Sequence, residues 1–165
     1  MTDKMAAMGI LSGIAGDAKG EEARDAVLAK FYKDAEGDAL VTNKWFTVQA
    51  TAGKKGVLSD VKKLVDHPDF SIKNPNRFRS LVGAFTGNLA AFHRADGEGY
   101  KFVGGMVSEL DKINPQIASR LAGSLINFKR YDENRASLMK AELERISKTE
   151  GLSPDTFEVV GRALK

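Results

Sequence analysis

The chain has 165 residues, 42% of them apolar and 28% charged, which is the composition of a soluble globular domain and excludes the disordered and fibrous classes. No cysteine is present, which removes disulfide frameworks, thiol nucleophiles and cysteine-ligated zinc together. The 25 basic and 22 acidic residues give a net charge of +3, and they are interleaved with no block of like charge, so a polybasic nucleic-acid tail is excluded as well.

No stretch reaches the eighteen or so apolar residues of a transmembrane helix. The first element imitates a signal peptide: Lys4 precedes an apolar run from Met5 to Ala15. Asp3 cancels that lone positive charge, so the spacing of Ile10, Leu11 and Ile14 predicts a core-packed helix over 3–15 instead. Further helices are predicted over 21–35, 38–52, 56–66, 75–92, 98–112, 115–130, 133–149 and 154–164. Period-two alternation is nearly absent, so no strand is expected.

Helix punctuation supports these bounds. Asn74-Pro75, Asn114-Pro115 and Ser153-Pro154 each pair an N-cap side chain with a proline at the first helical position. The cap oxygen satisfies an orphan backbone N–H, and the proline has no N–H to orphan. Asp38 and Asp132 can cap two further helices, and Gly16, Gly20, Gly37, Gly53, Gly56 and Gly151 fall at predicted ends.

Two helices share sequence at an offset of about forty residues. Asn74-Pro75, Leu81 and Gly83 recur as Asn114-Pro115, Leu121 and Gly123. A period of about forty with two helices per unit belongs to HEAT- and armadillo-like repeats. The fold class is therefore all-α, an α-α solenoid of about nine helices in stacked pairs. With no Pro/Ser-rich linker, residues 1–165 read as one domain. A compact bundle with short loops is the alternative.

On helix 115–130, Ile117, Ala118, Leu121, Ala122, Leu125, Ile126 and Phe128 cover one arc, leaving Gln116, Arg120, Gly123 and Asn127 as a polar stripe. Helix 75–92 repeats the layout, with Phe78, Leu81, Val82, Phe85 and Leu89 opposite Asn76, Arg79, Gly83 and Thr86. Equivalent layers of a stack would place the two stripes side by side. Arginine forks suit carboxylates and glycine admits close approach, so the stripes are a candidate binding surface; a merely solvated face is the bland reading.

Catalytic chemistry is sparse. His67 and His93 lack a His-Glu-x-x-His context, and with no cysteine a zinc site built by this chain is not expected. His67, before Pro68, reads as a helix-end residue contacting terminal carbonyls. Gly53-Lys54-Lys55-Gly56 lacks phosphate-loop spacing, and Gly97-Glu98-Gly99 follows no strand. Trp45, Phe46, Tyr100 and Phe102 read as core, as do Phe31, Tyr32 and Tyr131. No catalytic and no metal-binding residue is assigned.

Three stretches carry a family resemblance. They are Lys44-Trp45-Phe46 with Gln49-Ala50-Thr51, Asn74-Pro75-Asn76-Arg77-Phe78-Arg79 running on to Asp96-Gly97, and Asn114-Pro115-Gln116 with Arg120-Leu121 and Lys129-Arg130-Tyr131-Asp132. Together they resemble the C-terminal helical domain of the bacterial aminopeptidase N family, zinc-dependent alanyl aminopeptidases. The likeness runs the length of the chain, apart from the loop Ala52-Gly53-Lys54-Lys55.

The absence of cysteine fits a reducing compartment, and a cytoplasmic protein is expected. The resemblance implies that zinc and its ligands belong to an upstream catalytic domain of the same polypeptide. This chain would be inactive alone. It would close over that domain, wall the chamber and restrict entry to small peptides. The family's Asn-Pro-Gln-x-x-x-Arg stretch faces the active site, which implies substrate-binding roles for Gln116 and Arg120, with Arg79 similarly placed. No membrane or nucleic-acid partner is implied. The alternatives from other classes are a free-standing helical-repeat adaptor with a protein partner, and a nucleic-acid-binding repeat using Lys73, Arg77, Arg79, Lys129 and Arg130.

Overall fold

The computed structural model describes residues 18–165, so the helix expected over 3–15, and Gly16, lie outside the described residues. Those residues contain helices and no strand, in two compact units, one ending at Ala91 and the other spanning Phe92–Lys165.

In the first unit, α1 (Ala18–Asp34) packs on α2 (Ala39–Ala50), which packs in turn on α3 (Val57–Val65) and α4 (75–86). Residues of α1 at helical spacing, Leu28 and Phe31, meet Trp45, Phe46 and Val48 of α2 in the core, with Val57, Val61 and Leu64 supplied by α3. The Trp45 indole N–H donates to the Leu28 carbonyl at 3.0 Å, which gives a buried donor its acceptor. His67 sits just past the end of α3, where its backbone N–H donates to the Leu64 carbonyl at 3.2 Å, as expected of a helix-end residue. Its half-buried ring lies 5.1 Å from Trp45 and 5.3 Å from Tyr32, and its Nδ1 accepts from the Asp69 N–H at 3.1 Å.

Helix α4 opens at Pro75–Phe78, widens to a π-helical turn at Arg79–Gly83 and closes at Ala84–Thr86. The Ala84 N–H reaches back five residues to the Arg79 carbonyl. The Ser80 carbonyl is taken by the Thr47 hydroxyl of α2 at 3.0 Å, and this side-chain intrusion accounts for the wider turn.

The continuous helix expected over 75–92 breaks at Gly87-Asn88. Asn88 Nδ2 donates to the carbonyls of Ala50 (3.1 Å) and Ala52 (2.9 Å), closing the end of α2, while its Oδ1 accepts from Ala91 N–H at 3.3 Å. One amide thus ends one helix and starts the next, α5 (Leu89–Phe92). The break turns Leu89, expected in the core, 66% into solvent.

The second unit holds α6 (Glu98–Asp111), α7 (Pro115–Ala122), a 3-10 turn at Phe128–Arg130, α8 (Glu133–Ser147) and α9 (Pro154–Ala163). Helix α7 packs on both α6 and α9. The helix expected over 115–130 stops at Ala122, because the chain tightens into three-residue closures from Ser124 N to Leu121 O and from Leu125 N to Ala122 O. Leu125 and Phe128 remain buried through this irregular stretch, whereas Ile126 is exposed. Phe102 is half-buried and Tyr131 is exposed, so neither is the core residue expected.

All five anticipated caps form. Asn74, Asn114, Ser153, Asp38 and Asp132 each accept from a backbone N–H two or three residues on. Gly37, Gly56 and Gly151 have left-handed φ between +72° and +81°, while Gly20 lies within α1.

Asp111 ties α6 to the start of α9. Only 4% exposed, its carboxylate accepts from Ser153 N–H at 2.7 Å and from the hydroxyls of Ser153 and Thr156, each at 2.5 Å. Burial alone would raise its pKa, but those three donors outweigh it and hold the carboxyl below the usual range.

Candidate functional site

The Asn114 side chain accepts from the Ile117 N–H at 3.2 Å and Pro115 takes the first helical position, so α7 begins at a fixed angle. Its apolar face, Ile117, Ala118, Leu121 and Ala122, is buried against α6 and α9. That fixes the rotation of the helix and turns Gln116 and Arg120 outward, both exposed. They share an open cleft of about 350 Å³ with Ser119 and with Asp155, Glu158 and Arg162 of α9. Glu158 pairs with Arg162 four residues on, which occupies one cation and one anion of the cleft. Among the described residues no carboxylate lies within ion-pair distance of Arg120.

The structure therefore brings Gln116 and Arg120 together, one turn apart on one face. Arg79 lies in the first unit and does not line that cleft. It is exposed at the first position of the π turn, and a Cβ on Gly83 would sit 3.7 Å from its own Cβ, an ordinary contact. Arg77, grouped with it as a basic residue in the sequence, instead lies half-buried over the Phe46 ring at 5.4 Å.

His93 stands between two phenols. Its Nδ1 lies 2.9 Å from the Tyr100 hydroxyl and its Nε2 lies 2.9 Å from that of Tyr131, whose ring also stacks on it at 4.3 Å. Arg135 Nε donates to the His93 carbonyl at 2.6 Å. Burial lowers the imidazole pKa and the Arg135 charge adds to the effect; burial also pushes the Tyr100 hydroxyl up to about 12. The His93 ring thus links the Tyr100 and Tyr131 hydroxyls.

Among the described residues no group of three or more His, Cys, Asp or Glu side chains could hold a metal ion.

Sequence reasoning missed Asp111 and Arg24, both polar and both buried. Each occupies a position on its helix's apolar arc, four residues from Val107 and from Leu28 respectively. A charge on an apolar stripe was the signal that could have found them.

The comparisons with known proteins point one way. A family model described as a domain of unknown function (DUF3458_C) with ARM repeats matches residues 1–165. The chain belongs to the DUF3458_C family. The ARM-repeat description of DUF3458_C accords with an all-helical chain whose caps recur about every forty residues. Among curated relatives, Aminopeptidase N of Haemophilus influenzae is 45% identical over 166 residues, covering 100% of this chain and 18% of the relative. Aminopeptidase N of Escherichia coli is 44% identical over 99% of the chain and 18% of its own length. The crystal structure of Legionella pneumophila aminopeptidase A in complex with aspartic acid matches with a TM-score of 0.92 at 34% identity, over 99% of this chain and 19% of that one. This DUF3458_C chain thus spans less than a fifth of the relatives it matches, and corresponds to their C-terminal part. No helix among the described residues is long and apolar enough to cross a membrane.

Proposed function

We propose that this chain is the C-terminal helical domain of a cytoplasmic zinc aminopeptidase that removes N-terminal amino acids from peptides. It packs against an upstream catalytic domain of the same polypeptide, which holds the zinc, and it walls the chamber through which small peptides enter. The observation that carries this reading is 45% identity across the whole chain, falling on 18% of an aminopeptidase.

Within that reading Gln116 borders the pocket for the substrate's first side chain, and Arg120 attracts the peptide's C-terminal carboxylate. Arg79, in the first unit, supplies a further positive charge for the peptide. The exposed Arg120 fork is one turn from the Gln116 amide and shares a cleft with it. In water such an ion pair contributes less than about 1 kcal/mol, rising to about 1.5–3 kcal/mol once the chamber excludes solvent.

Two measurements test the proposal. An immunoblot of source-cell lysate should give a band several times heavier than 17.9 kDa; a band at that mass would favour a free-standing adaptor. In the full-length enzyme, Arg120→Ala should lower kcat/KM for a tripeptide about tenfold while leaving an uncharged amino-acid amide nearly unaffected. Equal losses on both substrates would remove the carboxylate role.

A further inference from the structure

The first unit contains a cavity of about 330 Å³ between α1, α2 and α3, apart from every residue discussed for peptide binding. Its charged lining is three cations, Arg24, Lys54 and Lys63, against two carboxylates, Asp25 and Asp60. Lys54 and Asp60 pair with each other. Arg24 is 6% exposed, and its Nε and Nη2 both go to a single oxygen of Asp25, at 2.9 and 2.8 Å. Its Nη1 is buried and has no hydrogen-bond partner among the described residues. The rest of the wall is mainly apolar, with Leu28, Trp45 and Leu64 facing the same space.

A buried guanidinium N–H without an acceptor is costly, and native interiors rarely leave one so. Asp25 cannot serve it, being engaged at the opposite edge of the fork and 67% exposed. The missing partner is an acceptor carrying one negative charge, which would also balance the excess cation of the lining. A divalent anion would meet Asp25 and Asp60 as well as the cations, whereas a monocarboxylate would not overcharge the site. The volume is at the low end of small-molecule pockets, and the apolar wall asks for a hydrocarbon body behind the charge.

We propose that this cavity is a binding site for a monocarboxylate bearing a short branched apolar side chain, with Arg24 receiving the carboxylate and Leu28, Trp45 and Leu64 the hydrocarbon. Lys63 at the rim draws the anion in, and a small turn of the guanidinium brings Nη1 onto it. The same chemistry is offered by a free branched-chain acid and by the C-terminus of a peptide ending in leucine.

Calorimetric titration of the purified 165-residue chain distinguishes these sources. 4-Methylpentanoate and N-acetyl-glycyl-leucine are the two charged probes, and N-acetyl-glycyl-leucinamide is the neutral control. Saturable binding of a charged probe, at least tenfold tighter than the amide, is the expected result, a ratio about equal to one charge-assisted hydrogen bond. Tighter binding of the peptide assigns the site to peptide C-termini; equal or tighter binding of the free acid assigns it to small acids. Arg24→Gln should weaken binding at least tenfold. Lys63→Glu, at an exposed position, should do the same, so the proposal stays testable if Arg24→Gln fails to fold. No saturable heat up to about 10 mM of either acid, equal affinity for the amide, or unchanged affinity in Lys63→Glu would overturn it.

Discussion

Replacing Asp111 by alanine should be among the most damaging single changes in the second unit. The carboxylate is 4% exposed and takes three hydrogen bonds, from the Ser153 N–H and from the hydroxyls of Ser153 and Thr156. Thr156 is fully buried, so its hydroxyl has no water to turn to when the acceptor is removed. Bonds to a charged acceptor contribute about 1.5–3 kcal/mol each, but the three are coupled, and removing Asp111 also recovers the cost of burying its charge. The net loss is about 3–5 kcal/mol, the range found when a buried charged group is taken from its partners. With a urea slope of about 2 kcal/mol/M, the midpoint should fall by about 1.5–2.5 M. Urea titration followed by circular dichroism gives this directly. Asp155→Ala, at an exposed position on α9, is the control and should stay within about 0.5 kcal/mol of the parent. The reasoning is refuted if Asp111→Ala loses less than about 1 kcal/mol, or no more than the control. Linkage adds a signature. The folded pKa of Asp111 lies below its ordinary 3.8, so its contribution is complete above that value and is lost as pH falls through the folded pKa. Asp111→Asn should therefore flatten the acid limb below about pH 4.

Four further outcomes are expected. His93 has a folded pKa below the ordinary 6.5, so its stabilising effect is present above that value and fades as pH falls through the folded pKa; His93→Gln should flatten the stability slope between about pH 7 and 5 in urea titrations. Tyr100, held protonated to about 12, gives the opposite limb, with stability lost as pH rises from its ordinary 10 through that value. Asn88→Ala removes the donors to the Ala50 and Ala52 carbonyls and the cap on Ala91, for a loss of about 2 kcal/mol by chemical denaturation, while Asn88→Asp restores only the cap. Gly99→Ala would place a Cβ 2.4 Å from the Phe92 carbonyl oxygen and should cost about 2–3 kcal/mol, whereas Gly105→Ala meets nothing within 4 Å and should gain about 0.5 kcal/mol.

What the sequence discloses here is whatever depends on neighbours in the chain. The caps at Asn74, Asn114, Ser153, Asp38 and Asp132 act on N–H groups two or three residues away, so their residue types suffice to place five helix starts. The buried faces of α4 and α7 follow from helical spacing for the same reason. The features that escaped are set by distant partners. Asn88 breaks its helix because carbonyls 36 and 38 residues earlier in the chain require it, and the π turn forms because Thr47 reaches Ser80. Gln116 and Arg120 were legible as an outward face, but the acidic and basic residues across the cleft come from α9, about forty residues on.

The burial of Trp45 has an optical consequence. It is the only tryptophan in the chain, it sits in the first unit, and its indole N–H is held by the Leu28 carbonyl. Emission excited at the red edge of the aromatic band therefore reports on that unit alone, while Tyr100 and Tyr131 of the second stay dark. Backbone ellipticity sums over both. Superimposable denaturation curves from the two signals mean that the halves melt as one cooperative body; separated curves give each half its own free energy, without a mutation or an added label.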